Sequence, residues 1–563
     1  MAISTKHGSK KDSSDATTPL LDDSSTEDEL IRDYVNYTGQ PCKRSESGGW
    51  QSAAFISGAG GLERFAFRGM ECNLINFLTG PLGESVAVAS ANVNIWMALG
   101  SIMPVVNGIL ADSVLGLYRT NIITSIIYIL GLGLSTISVV IIPSNDEPTT
   151  NNAAVPTILQ VLFFFSIYLV ALAQGFQSSS QVFGADQFDR NHPQESKAIS
   201  SFFNWWLFGL SVGVVLAILM IPYIEENISW GMGFGTVLLA MVIGFILLVL
   251  GYRTYRFALV HRDQKSPIDD AIYSTSQELD QESLRSLPEG KFQNHKSNIS
   301  QSKYLLKNLE TKKALGLLPI WCTTVMYTLA WAQAPTLFTK QANTVDRSIG
   351  QSFEIPSASL RIFIPLTTMC FTPIYDRVFV AIGRKITGNP TGITEFQRIK
   401  MGMTISIVDM VVAALIEKKR LEIARDHSLV DIPNAMVPMS FWWLVPQNVL
   451  CSFAYVFTFV GMQKFFYDQV PDELRSIGLS LSFGALGAGN FLSSFLIYGL
   501  DRATSVGGRY SWFCDNLSRA HLDYFYWVVA GLGFLGLVGF ALLEKSFSKE
   551  NVAKKNTPQP DSI

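Results

Sequence analysis

Glu63, Arg64, Arg68 and Glu71 crowd into one short stretch of otherwise apolar sequence. At about 100° per residue, these four and Gly60 fall on one arc of about 140° of a helix. A charge at the centre of a bilayer costs roughly 2.5–3.5 kcal/mol on insertion scales, so a spanning helix with four of them must turn that face to a cavity or a partner. Arginine forks grip oxyanions two oxygens at a time. A carboxylate such as Glu63 can take up and release a proton. The pattern therefore points to anion binding and proton exchange inside a membrane. A plainer reading stands beside it: Glu63 and Arg64 form a packing salt bridge, with Arg68 and Glu71 near the interface.

Those residues need a membrane-spanning frame, and the chain has one. Of its 563 residues, 48% are hydrophobic and 16% charged, against about 25% charged in ordinary soluble chains. Apolar runs long enough to span lie near 52–79, 88–110, 121–142, 157–181, 200–221 and 231–251. A second set lies near 314–337, 358–379, 400–417, 438–461, 476–498 and 522–543. The expected architecture is an all-α membrane protein of twelve transmembrane helices in two six-helix bundles. It divides into a disordered cytosolic tail (1–49), an N-terminal bundle (50–252), a cytosolic linker (253–313), a C-terminal bundle (314–545) and a C-terminal cytosolic tail (546–563). Span eleven carries Gly484, Ala485, Gly487, Ala488 and Gly489, small residues that let a neighbouring helix approach closely.

Lysine and arginine set the orientation. The middle segment holds eleven of them, so it and both termini are expected in the cytosol. Lys418, Lys419, Arg420 and Arg425 disagree, because they follow span nine and would lie outside. The formal charge of −3 gives no reason to expect nucleic acid as a partner. Six scattered cysteines without a CxxC pair, and six histidines confined to tails, loops and span ends, argue against a metal site, a histidine relay or an intramembrane enzyme. No cofactor is expected. Asn227-Ile228-Ser229 and Asn516-Leu517-Ser518 are glycosylation sequons in loops expected outside.

Local strings carry a family resemblance. FGADQFD begins at Phe183 and SFFNWW at Ser201; SFEIP begins at Ser352, RKITGNP at Arg384, LVPQ at Leu444 and HLDYFYW at His521. Together they closely resemble the plant nitrate/peptide branch of the proton-dependent oligopeptide transporter family, within the major facilitator superfamily. The resemblance implies a twelve-helix carrier that works by alternating access. Such carriers move nitrate, short peptides, glucosinolates or plant hormones, commonly with protons. A loop from Gly108 to Gly116 resembles a general superfamily signature, and there Asp112 and Arg119 are expected to form a cytosolic gate.

The chain departs from that family where the family carries charge. The usual ExxERF motif reads GGLERF from Gly60 to Phe65, so Gly60 replaces the first glutamate, and Arg68 stands at a usual tyrosine. Gln177 occupies the place of a usual lysine in span four, and no lysine occurs between Arg119 and Lys197. Tyr455 replaces an acid eight residues after the glutamine of LVPQ. Trp331, just before Ala332 and Gln333, replaces the histidine of a nitrate-transporting relative. The expected substrate is nitrate or another small anion, held by Arg64 and Arg68 with Gln177, Trp331, Gln333 and Tyr455. Glu63 is left to carry what remains of a weakened or absent proton coupling. Alternatives stay open: a proton-coupled peptide or plant-hormone transporter, or a solute sensor that does not transport. The expected partners are the solute, the lipid bilayer and, where coupling survives, protons, in the plasma or vacuolar membrane.

Overall fold

The computed structural model describes residues 30–111, 115–142, 155–189, 192–258, 317–350, 353–379, 393–433, 435–469, 475–506 and 510–556, with the single positions 382 and 385. Its helices follow the apolar runs. Span one is Gly49–Thr79, span two Val86–Leu110, span three Leu117–Ile141, span five Pro193–Asn227 and span six Trp230–Leu250. Span four is broken: Thr157–Leu172 passes through a tight turn, Ala173–Gly175, into Phe176–Ala185. In the second half, span seven runs over 317–331 and, past a wide turn at Ala334–Phe338, ends at Thr339–Ala342. Span eight begins with a short turn, Ser357–Ile362, and continues as Phe363–Ile374. Spans nine (Glu395–Asp426), ten (Val445–Gln469), eleven (Arg475–Thr504) and twelve (Leu522–Asn556) complete the set.

Among the described residues, nine helices are long and apolar enough to cross a membrane. Their outer faces fit lipid. Ile158, Val161, Phe165 and Leu172 are exposed on span four at helical spacing, while Phe163, Ile167 and Val170 between them are buried. Side chains place the helix starts. Ser85 accepts from the backbone N–H of Val88 at 3.3 Å and Ser229 from that of Met232 at 3.2 Å. Thr394 and Gln397 cap span nine reciprocally, each accepting from the other's backbone N–H.

The two bundles meet along spans two and eleven. The Asn94 amide donates to Ser493 Oγ at 2.9 Å, and Ser494 Oγ donates to the Ala91 carbonyl at 3.1 Å. The small residues of span eleven do what their size suggests. A Cβ on Gly487 would lie 3.1 Å from the Ala98 carbonyl of span two, and one on Gly489 would lie 2.1 Å from Thr328 Oγ1 of span seven.

Three expectations change. The N-terminal segment is not a disordered tail up to residue 49. Leu30–Val35 pairs antiparallel with Pro41–Lys43 and with Phe257–Ala258, which lies at the start of the expected linker. Arg44 ties this sheet to Asp189 of the FGADQFD string at 2.9 Å, and Arg256 meets Glu195 at 2.7 Å. Linker residues 259–313 lie outside the described residues, and span twelve continues as helix past 545 to Asn556. Finally, Lys418, Lys419, Arg420 and Arg425 do not follow span nine; they sit in its last turns. Arg420 is fully buried, donating to Glu417 at 2.6 and 2.8 Å and to the Leu517 carbonyl at 2.7 Å. An internal ion pair carries no topological information, which removes part of the conflict with orientation.

Candidate functional site

The charged face of span one splits between bundle core and bundle interface. Glu63 is fully buried. Gln174, in the tight turn of span four, donates through Nε2 to Glu63 Oε1 at 3.3 Å and to Tyr128 Oη at 3.0 Å. Arg64 Nη2 lies 3.7 Å from Glu63 Oε2. That contact is too long for a hydrogen bond, and Arg64 Nε and Nη2 are buried without a hydrogen-bond partner. Its position is set from below by an aromatic pair. The guanidinium sits 5.6 Å from the Phe67 ring centre, and Phe67 stacks on Trp96 at 5.0 Å. Trp96 is locked in turn by a 2.8 Å hydrogen bond to the Ile167 carbonyl.

Arg68, one turn on, keeps 27% of its side chain exposed and donates to Glu71 at 2.5 Å. Glu71 also accepts from Arg361 of span eight at 2.8 Å, a bond between the two bundles. From the C-terminal side, Trp331 and Tyr455 stack at 4.8 Å, and Tyr455 stacks on Phe459 at 5.0 Å. The Tyr455 phenol lies within electrostatic range of Arg68 and Arg64. The fold therefore brings Arg64, Arg68, Trp331 and Tyr455 together, with Arg68, Trp331 and Tyr455 partly exposed.

Other expected residues lie elsewhere. Gln177 is half-buried, and it is Gln174 that reaches Glu63. Gln333 is fully buried, spending its amide on the Leu329 carbonyl at 2.8 Å and Ser493 Oγ at 2.9 Å, so it pins span seven to span eleven. Gly60 faces Trp206 of the SFFNWW string, and a Cβ there would lie 2.4 Å from that ring. Asp112 lies outside the described residues, and Arg119 is exposed. Of the two sequons, Asn227 is exposed and donates through its amide to the Tyr223 carbonyl at 3.1 Å, and the Asn516 amide nitrogen donates to the Val430 carbonyl at 2.9 Å.

Beyond Glu71 the two bundles are bonded together at the end where span one finishes, the outer end in the expected orientation. Asn76 donates to Ser357 at 2.9 Å and accepts from Asn343 at 2.6 Å. Lys340 donates to Thr79 at 2.9 Å, and Ser359 to the Ile218 carbonyl at 2.8 Å. A site between two bundles, shut at one end, is the arrangement of an alternating-access carrier.

The family model for the POT family matches residues 118–513. The chain belongs to the POT family. It is 46% identical to Protein NRT1/ PTR FAMILY 5.10 of Arabidopsis thaliana, over 92% of this chain and 96% of that protein. It is 45% identical to Protein NRT1/ PTR FAMILY 5.14 of the same plant, over 93% and 97%. Among solved structures it resembles the POT family transporter PepTSo, with a TM-score of 0.67 at 18% identity, covering 89% of this chain and 99% of that one. An auto-inhibited POT family peptide transporter gives 0.65 at 19% identity, over 88% and 96%. The fold is thus the twelve-helix major facilitator fold of a multi-pass membrane transporter, in the plant nitrate/peptide branch.

Sequence reading missed four residues. Gln174 lies inside the turn that breaks span four, upstream of the helix in which the count back from Phe183 falls. Trp206 and Arg361 come from spans whose facing cannot be read from periodicity. Asp409, in the apolar run of span nine, was legible as an intramembrane acid. It is buried, with Oδ1 lacking a hydrogen-bond partner, in electrostatic range of Tyr327, Cys451 and Tyr526.

Proposed function

We propose that this POT family protein is a secondary carrier of nitrate or another small anion, with proton coupling weakened or absent. The observation that carries the reading is Arg64, whose buried Nε and Nη2 make no hydrogen bond, Nη2 meeting only Glu63 at 3.7 Å, beside a partly exposed Arg68. Buried donors on a charged group are expensive to leave unpaired, and an oxyanion supplies what they lack. The facing wall offers Tyr455 and Trp331 in place of an acid, which leaves no anchor there for the amino terminus of a peptide. On this reading segments 50–252 and 314–545 are the halves that rock, joined by 253–313. Among the described residues Glu63 is the carboxylate that pairs with Arg64, and Gly60 and Gln174 cannot titrate. Passive exit from an acidic vacuole suits such a carrier, and the plasma membrane is the other setting.

The Trp331–Tyr455–Phe459 stack favours a second reading, a planar organic anion such as a plant hormone, because flat rings bind well against stacked aromatics. Uptake of nitrate and of ring carboxylates into proteoliposomes, with membrane potential clamped and with or without a pH gradient, separates the two. The facilitator reading expects flux without gradient-driven accumulation. Accumulation that follows the pH gradient and is lost in Glu63→Gln or Asp409→Asn defeats it. Binding of these solutes without flux makes the protein a sensor.

A further inference from the structure

One carboxylate of the bundle interface carries two guanidiniums. Glu63 with Arg64, and Glu71 with Arg68 and Arg361, set two carboxylates against three guanidiniums. Glu71 accepts from both Arg68 and Arg361, and neither arginine spends its full set of donors on it. Arg361 is 7% exposed, and its Nε and Nη1 have no hydrogen-bond partner; Arg68 Nε is in the same state. The unspent donors lie on a line. Along span one, Arg68 stands about 6 Å beyond Arg64, and Glu71, which holds Arg361, about 4.5 Å further toward the outer end.

We propose that Arg361 is the outer rung of an anion path through this carrier, and that Glu71 is a tethered competitor for it. The inference rests on the anion-carrier reading and names a substrate-binding residue that the reading does not include. An anion held by Arg64 and Arg68 moves outward by exchanging for the Glu71 carboxylate on Arg68 and Arg361. The exchange also breaks the Glu71–Arg361 bond, one of those that join the bundles at the closed end. Loading and opening are therefore coupled through one carboxylate. A neutral solute cannot perform this exchange, so the rung selects for negative charge.

The test uses the full chain in proteoliposomes, with nitrate, chloride and malonate as probes, and reads KM separately from maximal rate. Arg361→Gln is expected to raise KM for the transported anion about tenfold or more, with partial rescue in Arg361→Lys, which keeps the charge and loses the fork. Glu71→Gln is expected to lower KM by about threefold or more, because an uncharged amide competes poorly for a guanidinium. That gain distinguishes a competitor from a structural partner. Equal damage from Glu71→Gln and Arg361→Gln, or a KM within about twofold of wild type in Arg361→Gln, overturns the inference while leaving the carrier reading intact. Where Arg361→Gln gives no flux, anion binding to the purified monodisperse variant decides in the same way. Wild-type protein that neither takes up nor binds any of the three anions defeats both readings together.

Discussion

Gly60 and Trp206 share one volume, since a Cβ built on Gly60 would lie 2.4 Å from the Trp206 ring. The buried indole of span five fills the space on span one where the family usually places a glutamate. Gly61 beside it is a different case, its nearest contact being 3.4 Å away at the Gly209 carbonyl.

Gly60→Ala is therefore expected to overpack the interface between spans one and five and to cost about 1–3 kcal/mol. Gly61→Ala is expected to change stability by less than about 0.5 kcal/mol beyond the helix-propensity gain. Thermal unfolding of the detergent-solubilised variants checks the contrast. Equal midpoints would mean that Trp206 swings away freely.

Gln174 gives the second prediction. Gln174→Leu removes the amide that Glu63 accepts from and leaves a buried carboxylate less satisfied, at a cost of about 1–3 kcal/mol. Gln177→Leu, at a half-buried position three residues on, is expected to fall within about 0.5 kcal/mol of wild type. Midpoints and flux measured side by side decide it, and a larger effect at Gln177 would restore the simple count along span four.

How far the sequence carried follows from these residues. Spans were legible because lipid imposes length and apolarity on each helix independently. The charged arc of span one was legible because helical period fixes which residues share a face. Facing between helices was not. Gln333 looked like a cavity residue and is instead a pin between spans seven and eleven. Gln174, inside the turn at Ala173–Gly175, reaches Glu63, and Gln177 in the helix that follows does not. Gly175 is required at that turn, where a Cβ would lie 1.6 Å from Asn107 Nδ2 of span two. Arg361 and Glu71 meet across 290 residues of chain, a pairing that only the packed bundles can make.

Arg64 gives the third prediction. Arg64→Ala is expected to reduce kcat/KM for the transported anion by about 10–100-fold, matching about 1.5–3 kcal/mol for a charge-assisted bond. The protein should still reach its membrane, because the Phe67–Trp96 platform beneath the guanidinium remains. Lysine should rescue poorly, lacking the planar fork. Normal flux with correct targeting in Arg64→Ala would remove this residue from the transport site.

Lys340 gives the fourth prediction. In the last turn of span seven it donates to Thr79 of span one at 2.9 Å, and it lines a cavity of about 270 Å³ with Asn343, Arg347 and Asp515. Lys340→Met removes that bond across the bundle interface, a bond from a charged donor of the kind that contributes about 1.5–3 kcal/mol. Spin labels on the span one–two turn and the span seven–eight loop should show the short-distance population falling in Lys340→Met. An unchanged distance distribution would mean that this bond does not help to hold the outer end shut.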